Sequence, residues 1–260
     1  MTTGLVRWAA LSGLMALCAQ SAFAQRTETM TWNVDGQARE AIVYSPPANS
    51  SATAAPLVFC FHGHGDTVQN FQHTGLHRAW PEAIVVYVQG LPGSDGLSGW
   101  QVEKGADGDR DLRLIDTALA SLRRAFYVDD DRIYATGFSN GANFTYLLWV
   151  ARAEKFAAFA PVAGRLRSAS PPTQPRSILH VAGTQDTIIP FARQQTAIET
   201  AKHVNGVTGR GASCGDGCTI YGASGSHPLM TWIHAGAHEY PAGASQRIAD
   251  FFRDHSRPTR

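Results

Sequence analysis

Six short apolar runs set what this chain can become. They occupy residues 57–61, 84–88, 133–136, 158–162, 178–182 and 230–233, and each is too brief for a helix. Between them come longer stretches with helical periodicity, near 111–126, 141–152, 191–204 and 243–254. A strand that is apolar along its whole length must be covered on both faces, and helical crossovers are what return the chain to lay such strands in parallel. The expectation is an α/β fold, a mostly parallel sheet flanked by helices. Two further strands, near 27–33 and 40–44, precede this block and meet at Asp35-Gly36, a pair suited to a tight hairpin turn. No internal repeat or long linker interrupts the pattern.

The first residues read differently. Arg7 precedes an apolar run from 8 to 19, and Ala22-Phe23-Ala24 supplies a small-x-small cleavage signal. The run is short for a membrane anchor, so residues 1–24 are expected to be a cleaved signal peptide and residues 25–260 one catalytic domain of an exported protein, secreted or periplasmic. The 22 Lys and Arg against 21 Asp and Glu become even once Arg7 leaves with the leader. A neutral chain argues against nucleic acid or an anionic membrane as the main partner. In an exported chain Cys214 and Cys218, four apart around Gly215-Asp216-Gly217, are expected to form a local disulfide. Zinc binding is the rival reading, but no second Cys or His pair stands at zinc spacing nearby. Cys60, inside an apolar run, reads as an inert core thiol.

In sheets of this kind the chemistry lies beyond the carboxyl ends of the strands. One such end is "RIYATGFSNGANF", residues 132–144: a strand, the pentapeptide Gly-Phe-Ser-Asn-Gly, then the opening of a helix. The G-x-S-x-G pattern alone is weak, and a second copy stands at Gly211–Gly215. The first copy has the strand-to-helix setting that a nucleophilic serine needs; the second, around Ser213, has neither strand nor helix beside it. A serine hydroxyl needs a general base, and the base needs an orienting acid. Asp186 follows the strand at 178–182, and His238 follows the strand at 230–233, in the order Ser, acid, His. His234 and Asp216 are the nearest rivals, one ending a strand and the other inside the Cys214–Cys218 loop. His180, within an apolar run, reads as structural. An oxyanion hole is expected from the backbone N–H groups of Asn140, next after the serine, and His64, in "FCFHGHGD", with the His62 side chain in a structural role.

Five segments together carry a resemblance: "FHGHGDT", "GWQVEKGADGDRDLRLID", "YVDDDRIYATGFSNGA", "VAGTQDTIIPF" and "AGAHEYP". Spread over about residues 56–241, they resemble the secreted esterases that include poly(3-hydroxybutyrate) depolymerases and feruloyl esterases. The resemblance implies an α/β-hydrolase fold with Ser139, Asp186 and His238 as triad. The segment around His238 departs from that family's usual Gly-Gly-His-x-Trp-Pro, and Tyr240 stands where Trp is usual. Tyr240 and Trp100 are the candidate substrate-binding aromatics.

Other signals are weaker. Asp107, Asp109 and Asp111 imitate the start of a calcium loop, but Leu112 and Ala118 stand where the loop needs Gly and Glu. A helix cap at Asp111 is the expectation instead. Asp129-Asp130-Asp131 reads as a turn. The Asn143-Phe144-Thr145 sequon falls in a helix expected to be buried. Only "GRLRSASPPTQPRS" stands where related enzymes insert a lid, so no lid domain and an open cleft are expected. The resulting expectation is a serine esterase acting on a small or polymeric ester, with no cofactor, no metal and no membrane anchor. An acyltransferase, a peptidase or a silent binding protein on the same fold are the alternatives.

Overall fold

The computed structural model describes residues 25–47 and 53–257. The expected leader, with Cys18, lies outside the described residues. All six apolar runs are strands: β3 (Ala55–Phe61), β4 (Ile84–Val88), β7 (Val128–Phe138), β8 (Ala158–Val162), β9 (Ser177–Gly183) and β12 (Leu229–His234). They lie side by side in the order β4-β3-β7-β8-β9-β12, every neighbouring pair parallel. β1 (Arg26–Val34) and β2 (Gln37–Ser45) extend one edge antiparallel; β11 (Cys218–Tyr221) and β10 (Ala212–Ser213) extend the other. Asp35 and Gly36 both take positive φ, 52° and 83°, as the expected β1–β2 turn requires.

The period-2 alternation of strands sorts their side chains into two cores. Leu57, Phe59 and Phe61 pack with residues of α3 (Arg110–Ala125), α4 (Asn140–Arg152) and α5 (Phe191–Val204). Val58 and Cys60 face the other way, against α1 (Val68–Phe71), α2 (Leu76–Ala79) and α6 (Ala244–Arg253). Cys60 is buried there, and burial pushes its thiol pKa well up. α6 buries Ala244, Ile248 and Phe252, one face at helical spacing.

Three local expectations need correction. Asp129–131 do not form a turn but lie within β7. Ala55 pairs with Val128 and Leu57 with Ile133, so the acidic residues occupy an irregularity in the ladder. Asp111 does not cap α3, which begins at Arg110 after Asp109. Asp111 is instead wholly buried, and its carboxylate takes Arg39 Nη2 at 2.7 Å and the Gln101 N–H at 2.8 Å. The small hairpin of β5 (Leu91–Pro92) and β6 (Ser98–Gly99), and the β10–β11 edge, were not foreseen, being too short to show a period.

Candidate active site

Ser139 stands between β7 and α4 with φ 55° and ψ −113°, a positive-φ backbone state that is strained for a residue with a Cβ. The two glycines of the pentapeptide make that turn possible. A Cβ on Gly141 would run into the Phe61 and His62 carbonyl oxygens, and one on Gly137 into the Gly141 backbone. The Ser139 N–H donates to the Val162 carbonyl at 2.9 Å, and the Ser139 carbonyl accepts the Asn143 N–H at 3.0 Å. The hydroxyl is thereby held at the carboxyl edge of the sheet.

His238 reaches it from the loop after β12. The Ser139 hydroxyl lies 2.8 Å from His238 Nε2, and His238 Nδ1 lies 2.8 Å from Asp186 Oδ2. The Asp186 side chain is fully buried and that of His238 is 14 % exposed. Asp186 Oδ1 accepts the Ile188 and Ile189 N–H groups at 2.9 and 2.8 Å. The two loops are joined by backbone bonds, Thr184 N–H to the His234 carbonyl at 2.9 Å and Gln185 N–H to the Gly236 carbonyl at 3.0 Å. Gly183 permits this approach, since a Cβ there would meet the Gly236 and Ala237 carbonyl oxygens. A hydroxyl, an imidazole and a buried carboxylate in line can pass a proton from oxygen to nitrogen while the carboxylate fixes the ring.

An open cleft of about 510 Å³ lies over Ser139, lined among others by His64, Leu97, Asn140, Arg167 and Ile188. Among the described residues three large apolar side chains are exposed, and two of them, Leu97 and Ile188, line this cleft. The segment between β8 and β9 carries no helix. Asn140 is the first residue of α4, where a helix leaves its N–H groups unpaired. Among the described residues neither the Asn140 nor the His64 backbone N–H has a protein acceptor.

No protein-family model matches the chain. It is 31% identical to a bifunctional acetylxylan esterase/xylanase of Neocallimastix patriciarum, over 60% of this chain and 22% of that protein. It is 28% identical to feruloyl esterase C of Emericella nidulans, over 81% of this chain and 80% of that protein. The chain thus spans about a fifth of the first relative and most of the second. The solved acetyl xylan esterase from Aspergillus awamori superposes with a TM-score of 0.68 at 14% identity, covering 87% of this chain and 99% of that one. The chain has the α/β-hydrolase fold and is a relative of the feruloyl and acetylxylan esterases.

Two candidate residues of this esterase relative sit differently from expectation. Trp100 is only 5% exposed; its indole N–H donates to the His62 carbonyl at 3.0 Å and its ring stacks on Phe144. Its faces are taken by the core, so it is a wall of the cleft and not a free stacking platform. Tyr240 packs edge-on against Phe71 and Phe138, with its hydroxyl 3.0 Å from Ser245 Oγ. Burial raises its phenol pKa. It braces Phe138, whose ring lies 5.0 Å from that of His238. Phe138, the second residue of the G-x-S-x-G run, is thus a support for the imidazole that sequence reasoning did not single out.

Asn140 was expected only for its backbone. Its side chain also closes a two-way clamp on Trp100, accepting that residue's N–H at 2.7 Å and donating to its carbonyl at 3.2 Å. The His64 ring bonds Asp95 at 2.8 Å, both largely exposed. His62 accepts the Gly90 N–H at Nε2, 2.9 Å, and its Nδ1 lies 2.7 Å from the Gly63 carbonyl, a structural pairing that burial keeps neutral by lowering its pKa. His234 accepts the Gly236 N–H at 3.1 Å. Cys214 and Cys218 form the expected disulfide, their Cα atoms 5.0 Å apart. Ser213 lies exposed in β10, outside the cleft over Ser139. Asp109 accepts the Gly105 N–H and the Gln101 amide, and Asp111 pairs with Arg39, so these carboxylates serve separate partners. Asn143 and Thr145 of the sequon are buried in α4.

Proposed function

We propose that this chain is an exported serine esterase that hydrolyses carboxylic esters through an acyl-enzyme. The observation that carries the reading is the line of two 2.8 Å hydrogen bonds from Ser139 through His238 to the buried Asp186. Ser139 Oγ attacks the ester carbonyl carbon as its proton moves to His238 Nε2. Asp186 accepts the Nδ1–H bond and stabilises the imidazolium. The oxyanion takes hydrogen bonds from the His64 and Asn140 backbone N–H groups, each such donor contributing on the order of a hundredfold in rate. His238 then protonates the leaving alcohol. A water molecule, deprotonated by the same imidazole, attacks the acyl-enzyme, and the acid leaves as the proton returns to Ser139 Oγ.

Leu97 and Ile188 form apolar walls on a cleft otherwise open to solvent, which suits a bulky acyl group on a large alcohol. The relatives named feruloyl and acetylxylan esterase support aromatic or acetyl esters of polysaccharide. Hydroxybutyrate oligomers are the second candidate class. Initial rates on methyl ferulate, an acetylated xylo-oligosaccharide, a hydroxybutyrate trimer and p-nitrophenyl butyrate, with Ser139→Ala beside the unaltered chain, test the proposal. Turnover that depends on Ser139 is expected, with the aromatic or acetyl ester preferred. Equal turnover by Ser139→Ala would overturn the mechanism, and preference for the trimer would move the substrate class.

A further inference from the structure

The hydrogen bonds behind Asp186 have one self-consistent direction. Gln194 is wholly buried on α5, and its amide nitrogen lies 2.9 Å from Asp186 Oδ2 and 2.8 Å from the Ile189 carbonyl oxygen. Both partners only accept, so the amide cannot be turned round. Its oxygen therefore faces His180 Nε2, at 3.3 Å, and that nitrogen must carry the proton. His180 Nδ1 is then an acceptor, and the Tyr146 hydroxyl, 2.6 Å away, donates to it. Burial pushes the His180 pKa down to about 4, so the ring stays neutral in this one tautomer.

The chain of donors thus runs from Tyr146 to His180 to Gln194 and ends on the oxygen that also receives His238 Nδ1–H. With the Ile188 and Ile189 N–H groups on the other oxygen, Asp186 accepts as many donors as a carboxylate has lone-pair sites. Tyr146 lies on α4, the helix that Ser139 caps, so the path closes on itself through the nucleophile's own helix. Phe138 packs on His238, and among the described residues no other charged side chain hydrogen-bonds to any member of this path.

We propose that Gln194 is a positioning residue for the Asp186–His238 pair, itself oriented by His180 and Tyr146. This rests on the serine-esterase reading above. The amide stops the carboxylate from rotating away from His238. It also shares Oδ2 with the imidazole, so that oxygen divides its lone pairs between two donors and holds the imidazolium less tightly than an oxygen bonded to the ring alone.

The test is Gln194→Met, close in size but without the amide, assayed on p-nitrophenyl butyrate across pH. Expected are a kcat lowered about tenfold, a KM changed by less than about twofold, and an acid limb of kcat/KM moved to higher pH. Tyr146→Phe, which removes one hydroxyl, should shift the limb the same way by less. A fall in Tm with kcat and limb unchanged would show that Gln194 only packs, and overturns the proposal. Should Gln194→Met fail to fold, an unmoved limb in Tyr146→Phe does the same. The proton NMR resonance of His238 Nδ1–H in the resting protein needs no turnover. Its displacement in Gln194→Met, or in Tyr146→Phe, supports the proposal even if Ser139 proves dispensable, and an unchanged resonance overturns it.

Discussion

At the scale of single residues, the strained backbone of Ser139 is held by what surrounds it. The Val162 carbonyl fixes its N–H, two glycines admit the crossing of β7, α4 and the strand end at Phe61, and Asn140 clamps Trp100. Asn140→Ala keeps the backbone N–H but leaves the Trp100 N–H and carbonyl without their partner. A loss of about 1–3 kcal/mol in unfolding free energy is expected, with a lower kcat, read by urea denaturation and initial rates. An unchanged stability would show that the clamp is replaced by water. Ser139, Asp186 and His238 were legible in the sequence because their order and their places after strands are local properties. Phe138, Gln194 and the Asn140 side chain were not, because their partners are distant in the chain and only folding brings them near. Trp100 does line the cleft, but its burial against Phe61 and Phe144 is a tertiary contact that the local sequence does not show.

Among the elements, the apolar runs foretold all six parallel strands and the helical periodicity the four long helices, although β7 starts at Val128, ahead of its run at 133–136. β4, β8, β9 and the apolar runs of β3 and β7 are buried on both faces, as such residues require, while the edge-ward β12 is only half-buried. What did not read out were pieces held by side chains from elsewhere. The start of α3 is one. Asp111 is fixed by Arg39 from β2 and by Gln101, tying the outer hairpin, the 101 loop and α3 together with a pair 1% and 0% exposed. Burial lowers the Arg39 pKa, an effect that Asp111 opposes. Asp111→Ala leaves a buried guanidinium without its countercharge, and should cost about 3–5 kcal/mol. A drop in Tm of many degrees is the expected reading; a change of a degree or two would mean that the pair is not worth what its burial implies.

For the whole molecule, three buried histidines, His62, His77 and His180, weaken the fold in acid. Burial brings His180 to about 4, and burial, then the nearby Arg78 and His73, bring His77 to about 4. The unfolded chain binds these protons at the ordinary value of about 6.5. Stability is therefore complete above that value and falls as pH drops towards 4, where the fully buried His180 alone has withdrawn roughly 3 kcal/mol. Urea midpoints measured from pH 7.5 down to 4.5 should decline, with most of the slope below 6.5; a flat profile would contradict the burial of these rings as neutral species. The sheet itself makes the catalytic reading economical. Parallel strands put Ser139, Asp186 and His238 at one edge although 99 residues separate the first from the last. The most direct test of that reading is mass spectrometry of the protein after brief exposure to p-nitrophenyl butyrate with acid quench. One butyryl group is expected, on the peptide that contains Ser139, and none in Ser139→Ala. A butyryl group elsewhere, or undiminished turnover by Ser139→Ala, would contradict it.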